Sequence, residues 1–558
     1  MDARSLGPTR LACSARSIGA AWAIAGLGCS DTAAGTGGGT SITAGETSIS
    51  SSSPDSSSTG TTTAAATAST SDGHDATGTT HGPIFDVGAV DDSGGSDTGT
   101  VVPSCKVGDD IDAAQPCVDV APPDSFEPDV QWAWPGNNGE LDVLGTPVVA
   151  NLTDDNGDGE IDLCDIPDVV VIASTNTFGG GGHLYLLDGA TGTEHLRIET
   201  PVQPILYPAL GDLDGDGIAE IVAATPGDFG GGGFLLAFHA DGSLLWQSPD
   251  GTQTSSFAIS LADLDADGDV EIIFAGGVYD HTGHRLWTGG ASYLNTAADL
   301  DDDGDLEVIM GGAAYQDDGA VMWSGFDTQG HPHVADLDQD GSPEVMFVSS
   351  SGITIVDANG VASVSNAASN LAQWRPAAVH DMDGDGAPEI AVGSSNTYSV
   401  LETNLVANWT AAVSDGSGYA AGTAFDFLGD AAAEAMYADE TTLFIFDDSG
   451  TPLLTTPRSS WTQWENPIVV DVDNDGSAEI VVASNGGAAP PVQVIRDIED
   501  RWIPARRIWN QHAYHVTNVR EDGTIPTVQP KNWDTLNTFR TQAQIGAGGG
   551  VCMPEPRG

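Results

Sequence analysis

One short pattern occurs eight times in this chain, and that repetition constrains the fold more than any other feature. It is clearest at Asp212-Leu-Asp214-Gly-Asp216-Gly217-Ile-Ala-Glu220. It returns with acidic residues at Asp263, Asp265, Asp267 and Glu271; at Asp299, Asp301, Asp303 and Glu307; and at Asp336, Asp338, Asp340 and Glu344. Two further copies have Asp381, Asp383, Asp385 and Glu389, and Asp471, Asp473, Asp475 and Glu479. An earlier copy reads Asp154, Asn156, Asp158 and Asp162, with Asn at position 3 and Asp at position 9. The copy at Asp426 is degraded, with Leu428 at position 3 and Ala431 in place of the turn glycine. From Asp212 onward the copies start 51, 36, 37, 45, 45 and 45 residues apart. Repeats of that length belong to propellers, solenoids or arrays.

The content of each repeat selects among these. A short apolar run precedes each loop, as in Pro467-Ile-Val-Val470, and a β-branched run follows it, as in Ile221-Val-Ala-Ala. In most repeats a third run comes next, such as Phe234-Leu-Leu-Ala-Phe238, then a glycine turn and a fourth run ending in tryptophan, as at Leu244-Leu-Trp246. Runs of four to six residues bounded by Gly and Asp are strand signals. No segment keeps a helical period. Four strands per repeat make a propeller blade, so the expected fold is all-β with eight four-stranded blades, or seven if the degraded copy or an end copy is not a blade. The repeats at Asp263 and Asp299 are short, so their third and fourth strands must be brief.

The loop chemistry points to calcium. Ca²⁺ takes six to eight hard oxygens. Carboxylates at positions 1, 3 and 5 converge on one ion when the chain turns tightly, which glycine at position 6 permits. The position 7 carbonyl and the carboxylate at 9 complete the shell. An EF-hand closes instead at position 12, between helices. Asp-Gly turns also occur without metal, but seven copies with one spacing favour up to seven Ca²⁺ sites, and the degraded loop is expected to hold none.

These repeats resemble the FG-GAP (VCBS-type) repeats of integrin α-subunit propellers and of bacterial surface proteins, over roughly residues 141 to 500. The flanks Gln131-Trp-Ala-Trp134 and Arg507-Ile-Trp509-Asn-Gln-His512-Ala-Tyr514-His515 are similar to those of large secreted bacterial proteins of this type. The resemblance implies a structural or adhesive propeller.

Outside the repeats, Arg4, Arg10 and Arg16 precede a small apolar run from Ser17 to Gly28, which reads as a signal peptide over 1–28. The run ends in Gly26-Leu27-Gly28-Cys29, which resembles a lipoprotein cleavage site with Gly26 where leucine is usual, so Cys29 is the expected lipidation site. Residues 29–104 are rich in Ser, Thr, Gly and Ala and read as a disordered tether. Residues 105–140 flank the propeller, 501–545 are expected to complete or cap the last blade, and 546–558 form a tail. No CxxC pair occurs. Of the three pairings that Cys105, Cys117, Cys164 and Cys552 allow, Cys105 with Cys117 is the expected disulfide because the two are close in sequence.

The chain has 81 acidic and 16 basic residues, and only Lys106 and Lys531 are lysines. A net charge of −65 repels nucleic acid and anionic membranes. Membrane contact is therefore expected only through a lipid anchor, and the place of action is the cell surface or the medium. No nucleophile elbow, HExxH or phosphate loop occurs. His331, His333 and His380 read as packing residues. The basic cluster Arg501, Arg506, Arg507, His512, Tyr514, His515 and Arg520, with Trp502 and Trp509, reads as a cap whose arginines pair with aspartates, or as a site for an acidic or sugar ligand. The leading functional reading is a non-enzymatic surface module for adhesion, ligand binding or scaffolding, with an unknown surface protein or polysaccharide as partner. The alternative is a secreted lyase or glycosidase, which needs paired carboxylates in a cleft. The turn Leu186-Leu-Asp188-Gly-Ala-Thr-Gly192 and the blade-end tryptophans are faintly similar to quinone-cofactor propellers, whose docking motifs are not repeated here.

Overall fold

The computed structural model describes residues 111, 115–175, 180–227, 233–252, 256–367, 375–416, 420–546 and 549–557. The signal peptide, Cys29, the tether and Cys105 lie outside these residues, as does most of the glycine stretch at 230–233.

Eight antiparallel sheets follow one another along the chain, and each is a blade. Blade 1 has strands Val148–Ala150, Asp168–Ser174, His183–Asp188 and Glu194–Arg197, with the short strand Asp142–Val143 also pairing on the second of these. Blade 2 has Ala209–Gly211, Glu220–Ala224, Leu235–Phe238 and Leu244–Gln247. Blades 3 to 7 begin at Ser260–Ala262, Thr296–Ala298, His331–Ala335, Ala378–His380 and Gly422–Phe425. The first strands of successive blades pack on one another and line the axis. First and second strands are almost wholly buried, which accounts for their continuous apolar runs, whereas the outer strands of blades 2 and 3 have only half-buried and exposed positions. As expected, blades 3 and 4 have brief third strands, Gly277–Tyr279 and Ala313–Tyr315. Their second and third strands are joined by two-residue turns, Ala275-Gly276 and Gly311-Gly312, with all four residues in the left-handed region.

The tryptophans that end the outer strands join neighbouring blades. Trp246 of blade 2 donates its indole N–H to His281 O of blade 3 at 2.9 Å. Trp287 bonds Asp317 O at 2.7 Å, and Trp323 bonds Ala358 O at 2.8 Å, each in the following blade. Each ring lies on the next blade's glycine turn. A Cβ at Gly283 would come within 2.7 Å of the Trp246 ring, so that turn must be glycine for steric reasons as well as for its φ of +81°.

The eighth blade closes the ring. Its first three strands are Ile468–Val470, Glu479–Ala483 and Val492–Asp497, and its outer strand is Pro128–Trp134 from before blade 1. Trp132 on that strand bonds Gly189 O of blade 1 at 2.5 Å and packs on Gly192, so the Leu186–Gly192 turn receives this tryptophan. Residues 501–545 therefore do not supply the missing strand, which was one of the two expectations for them.

That segment instead crosses the axis. Val149 of blade 1 exchanges both backbone hydrogen bonds with Trp509 at 2.9 and 3.0 Å, and Val379 of blade 6 does the same with Phe539. Leu210 N–H of blade 2 bonds Asn510 O, Leu261 N–H of blade 3 bonds Gln511 Oε1, and Gln542 Nε2 bonds Val469 O of blade 8. Thr423 Oγ1 of blade 7 bonds Arg540 O at 2.7 Å. A segment that meets so many first strands occupies the channel they enclose. Three of its arginines pair with carboxylates: Arg501 with Asp497 of blade 8, and Arg506 and Arg507 with buried Glu521. Trp502, Trp509, His512, Tyr514 and His515 are buried, whereas Arg520 lines an open cleft of about 500 Å³ with Thr524, Ile525 and Val528.

The expected Cys105–Cys117 bond is not formed. Cys117 is bonded to Cys552, 435 residues away, where Gln115–Pro116 pairs in parallel with Cys552–Met553. Proximity in sequence was a poor guide because the fold brings the two ends of the propeller together. Cys164 is also disulfide-bonded.

Candidate metal centres

Each aspartate loop joins the first strand of a blade to its second, and its shape is set by its own carboxylates. In blade 2, Asp212 accepts the N–H of Gly215 and of Gly217, at 2.8 and 2.9 Å, and Asp216 accepts the N–H of Ile218. Glu220, the first residue of the second strand, accepts Leu213 N–H at 2.8 Å through Oε2. The same bond from position 2 to the Glu recurs at Glu271, Glu307, Glu344, Glu389, Glu434 and Glu479, between 2.7 and 2.9 Å. The first carboxylate thus fixes the turn, and one oxygen of the last ties it to the strand.

The other glutamate oxygen varies in its surroundings: Glu220 Oε1 lies 3.3 Å from His239 Nδ1, and Glu307 Oε1 accepts from Gln316 Nε2 at 3.0 Å. Glu389 Oε1, Glu479 Oε1 and Asp471 Oδ1 are buried with no hydrogen-bond partner. Such orphaned carboxylate oxygens are costly unless a cation meets them. Ligand atoms of Asp212, Asp214 and Asp216, of Asp263, Asp265 and Glu271, and of Asp299, Asp301 and Glu307 lie within 4.8 Å of one another in each set. These acidic clusters can hold metal ions. Burial first, and then the charges of the neighbouring aspartates, lifts the carboxyls of Glu220, Glu307 and Glu344 to about 7 and those of Glu271 and Glu389 to about 8.

Position 6 has φ between +89° and +99° at Gly217, Gly268, Gly304, Gly341, Gly386 and Gly476. Position 4 is left-handed as well, at Gly215, Ala266, Asp302, Gln339, Gly384 and Asn474. The sequence pattern hid that second requirement because position 4 is varied.

Blade 1 departs from the expected register. Ala150 pairs with Asp168 as Gly211 pairs with Glu220, and Leu152 N–H bonds Asp168 Oδ2 at 3.1 Å. Asn151 and Asp168 therefore stand where the other blades have their first Asp and closing Glu. Asp162 follows the turn, and its Oδ1 accepts Cys164 N–H at 2.8 Å. Asp154, Asn156 and Asp158 form their own turn inside an insertion, with Asp154 accepting Gly157, Asp158 and Gly159 N–H, and buried Asp165 holding the turn from behind. Asp168 also meets His195 Nδ1 at 3.1 Å, and His195 Nε2 lies 3.6 Å from both Asp155 and Asp188. Pairing with strand register, which the sequence does not display, would have identified Asp168.

In blade 7 the chain's own side chains fill the degraded loop. Gln544 Nε2 donates to Asp426 Oδ2 at 2.7 Å, and Arg557 pairs with the Asp430 carboxylate and donates from Nε to Asp430 O at 2.7 Å. Blade 4 has a neighbouring cation too, with Lys531 Nζ 3.5 Å from Asp299 and paired with Asp302.

The three histidines singled out from the sequence are packed inside. His333 Nε2 accepts Ala377 N–H at 2.8 Å, His380 Nδ1 lies 3.2 Å from Asp381 O, and His331 stacks edge-on against Trp464. Burial lowers His333 to about 3 and His380 to about 4.

Residues 212–274 match the FG-GAP-like repeat family. They contain the loops of blades 2 and 3 and the strands between them. An aspartate loop of the same spacing recurs around the ring. No curated protein matches the chain. Among solved structures, the biofilm matrix protein Bap1 of V. cholerae superposes with a TM-score of 0.63 at 19% identity, over 77% of this chain and 100% of that one. The rhamnogalacturonan lyase PL11 of Bacillus licheniformis gives 0.44 at 18% identity, over 68% and 74%. At 19% identity, the likeness to Bap1 shows a shared fold alone. No helix among the described residues is long and apolar enough to cross a membrane.

Proposed function

We propose that this chain is an exported, calcium-stabilised propeller that serves as a surface module for adhesion, ligand binding or scaffolding. The carrying observation is the set of equivalent loops whose buried glutamates stand beside neighbouring aspartates, with no bonding partner for one oxygen at Glu389 and Glu479. Regular sites are Asp212, Asp214, Asp216 and Glu220 in blade 2 and their equivalents in blades 3, 4, 5, 6 and 8. The Asp154–Asp158 turn, with Asp162, is the seventh. Calcium supplies charge compensation, and each ion holds together two strands of its own blade. The fold of a biofilm matrix protein is in keeping with this reading. We assign no catalytic role: the loop carboxylates are engaged in turn geometry, and residues 501–545 fill the axis. The N-terminal segment supports export, with Cys29 as the lipid anchor.

Thermal unfolding of the mature chain with calcium and with a chelator tests the proposal. With calcium at about ten times the dissociation constant, each site adds about 1.4 kcal/mol. A large calcium-dependent rise in Tm, with six or seven ions by elemental analysis, is expected. An unchanged melt with no bound metal overturns it.

A further inference from the structure

Blade 1 gathers one histidine and three aspartates at the end of its strands where the other blades carry their aspartate loops. Asp155 comes from the insertion between the first and second strands, Asp168 begins the second strand, Asp188 ends the third, and His195 is on the fourth. Asp168 is fully buried, and its Oδ1 lies 3.1 Å from His195 Nδ1. Its Oδ2 accepts Leu152 N–H at 3.1 Å and the Thr153 hydroxyl at 2.9 Å. Two donors on Oδ2 hold Asp168 as the carboxylate, which only accepts, so His195 Nδ1 carries the ring proton and Nε2 presents a lone pair. Two more carboxylates meet that lone pair. His195 Nε2 is 3.6 Å from Asp155 Oδ1 and 3.6 Å from Asp188 Oδ2. Asp188 Oδ1 accepts Thr191 N–H at 2.7 Å within its own turn, so Oδ2 is the oxygen turned to the ring.

Ligand atoms of Asp155, Asp188 and His195 all lie within 4.8 Å of one another. The 3.6 Å separations are too long for hydrogen bonds. They are close to the spacing of about 3.4 Å between two ligands of a tetrahedral zinc ion. Asn151 is 7% exposed, and neither its Oδ1 nor its Nδ2 has a partner. By strand register Asn151 and Asp168 stand as Asp263 and Glu271 do in blade 3, and as Asp299 and Glu307 do in blade 4, where the paired ligand atoms lie within 4.8 Å. That register puts the unpartnered amide on the inner side of the same group, where a water on a bound ion would meet it. We propose that Asp155, Asp188 and His195 Nε2 bind a divalent transition metal of the zinc class, with Asp168 holding the imidazole from behind and the fourth position open. A carboxylate behind a histidine in this way fixes its tautomer and raises its basicity toward a metal. Imidazole nitrogen suits such a metal, whereas calcium takes oxygens. A protonated ring would offset one of the three carboxylate charges; a divalent ion offsets two. The site shares no ligand with the calcium loops and does not rest on their occupancy.

Crystals of the full chain soaked in zinc provide the direct test, with an anomalous peak expected between His195 Nε2, Asp155 and Asp188. In solution, the full chain in saturating calcium is titrated with cobalt(II), a visible-absorbing stand-in for zinc. The intense band of a tetrahedral nitrogen–oxygen site should appear, and zinc should remove it. His195→Gln should lose the band. Asp188→Asn keeps the turn bond through Oδ1 and removes one charged ligand, so it should weaken cobalt binding about tenfold or more. It also covers the case in which the histidine variant fails to fold. Absence of the zinc peak, or a cobalt band of unchanged strength in both variants, overturns the proposal.

Discussion

Ala431 is the residue at which the repeat pattern is most visibly broken, and it occupies the same backbone conformation as the glycines it replaces. Its φ is +71°, a region that alanine adopts only at a cost. Ala431→Gly should therefore stabilise the protein, by about 1 kcal/mol, as a rise in Tm that is the same with and without calcium. The loop glutamates behave differently with pH. Their folded-state pKa values of about 7 to 8 stand above the ordinary 4.5, so in metal-free protein the folded state favours the protonated carboxyl. Below pH 4.5 both states are protonated and there is no penalty; as pH rises through 7 to 8 the penalty becomes complete. Chelated protein should lose stability between pH 5 and 8, and the increment from calcium should grow across the same window. A chelated melt independent of pH in that range would count against the burial of these groups. At this scale the sequence was informative where chemistry repeats: the bond from position 2 to the Glu recurs in all six regular loops, and ligand atoms of the loops at Asp212, Asp263 and Asp299 cluster. It was silent on Asp168, because an insertion shifts spacing while the strand register, Ala150 with Asp168, stays fixed.

Among the elements, the strand Pro128–Trp134 has the largest consequence. The sequence showed a tryptophan-rich flank without showing where it would pair, because a contact between residues 128–134 and 492–497 has no local signature. Trp132→Ala removes a buried ring and its bond to Gly189, so it should destabilise the protein by about 3 to 5 kcal/mol. Hydrogen exchange in that variant should rise first in blades 1 and 8, on either side of the seam. Exchange raised equally in all blades would mean that the ring opens as one unit. The axial course of residues 501–545 was hidden for the same reason: Asn510, Gln511 and Gln542 satisfy first-strand backbone groups along the axis, contacts with no local signature.

For the whole molecule, the blade count follows from the repeats, whereas closure depends on both ends of the propeller. The N-terminal side supplies the rim of the last blade, the C-terminal side fills the axis, and Cys117–Cys552 ties the two. This arrangement has a mechanical meaning. A pull from the N-terminal side reaches Cys117 before it reaches Pro128, so the disulfide diverts the load to Cys552 and spares the ladder that closes the ring. Single-molecule extension from residue 115 should show a ring that opens at markedly lower force after reduction than before it. Equal forces in both states would show that the seam, and not the bond, bears the strain. An oxidised propeller held this way transmits tension through its core to its surface, as a link in a chain does.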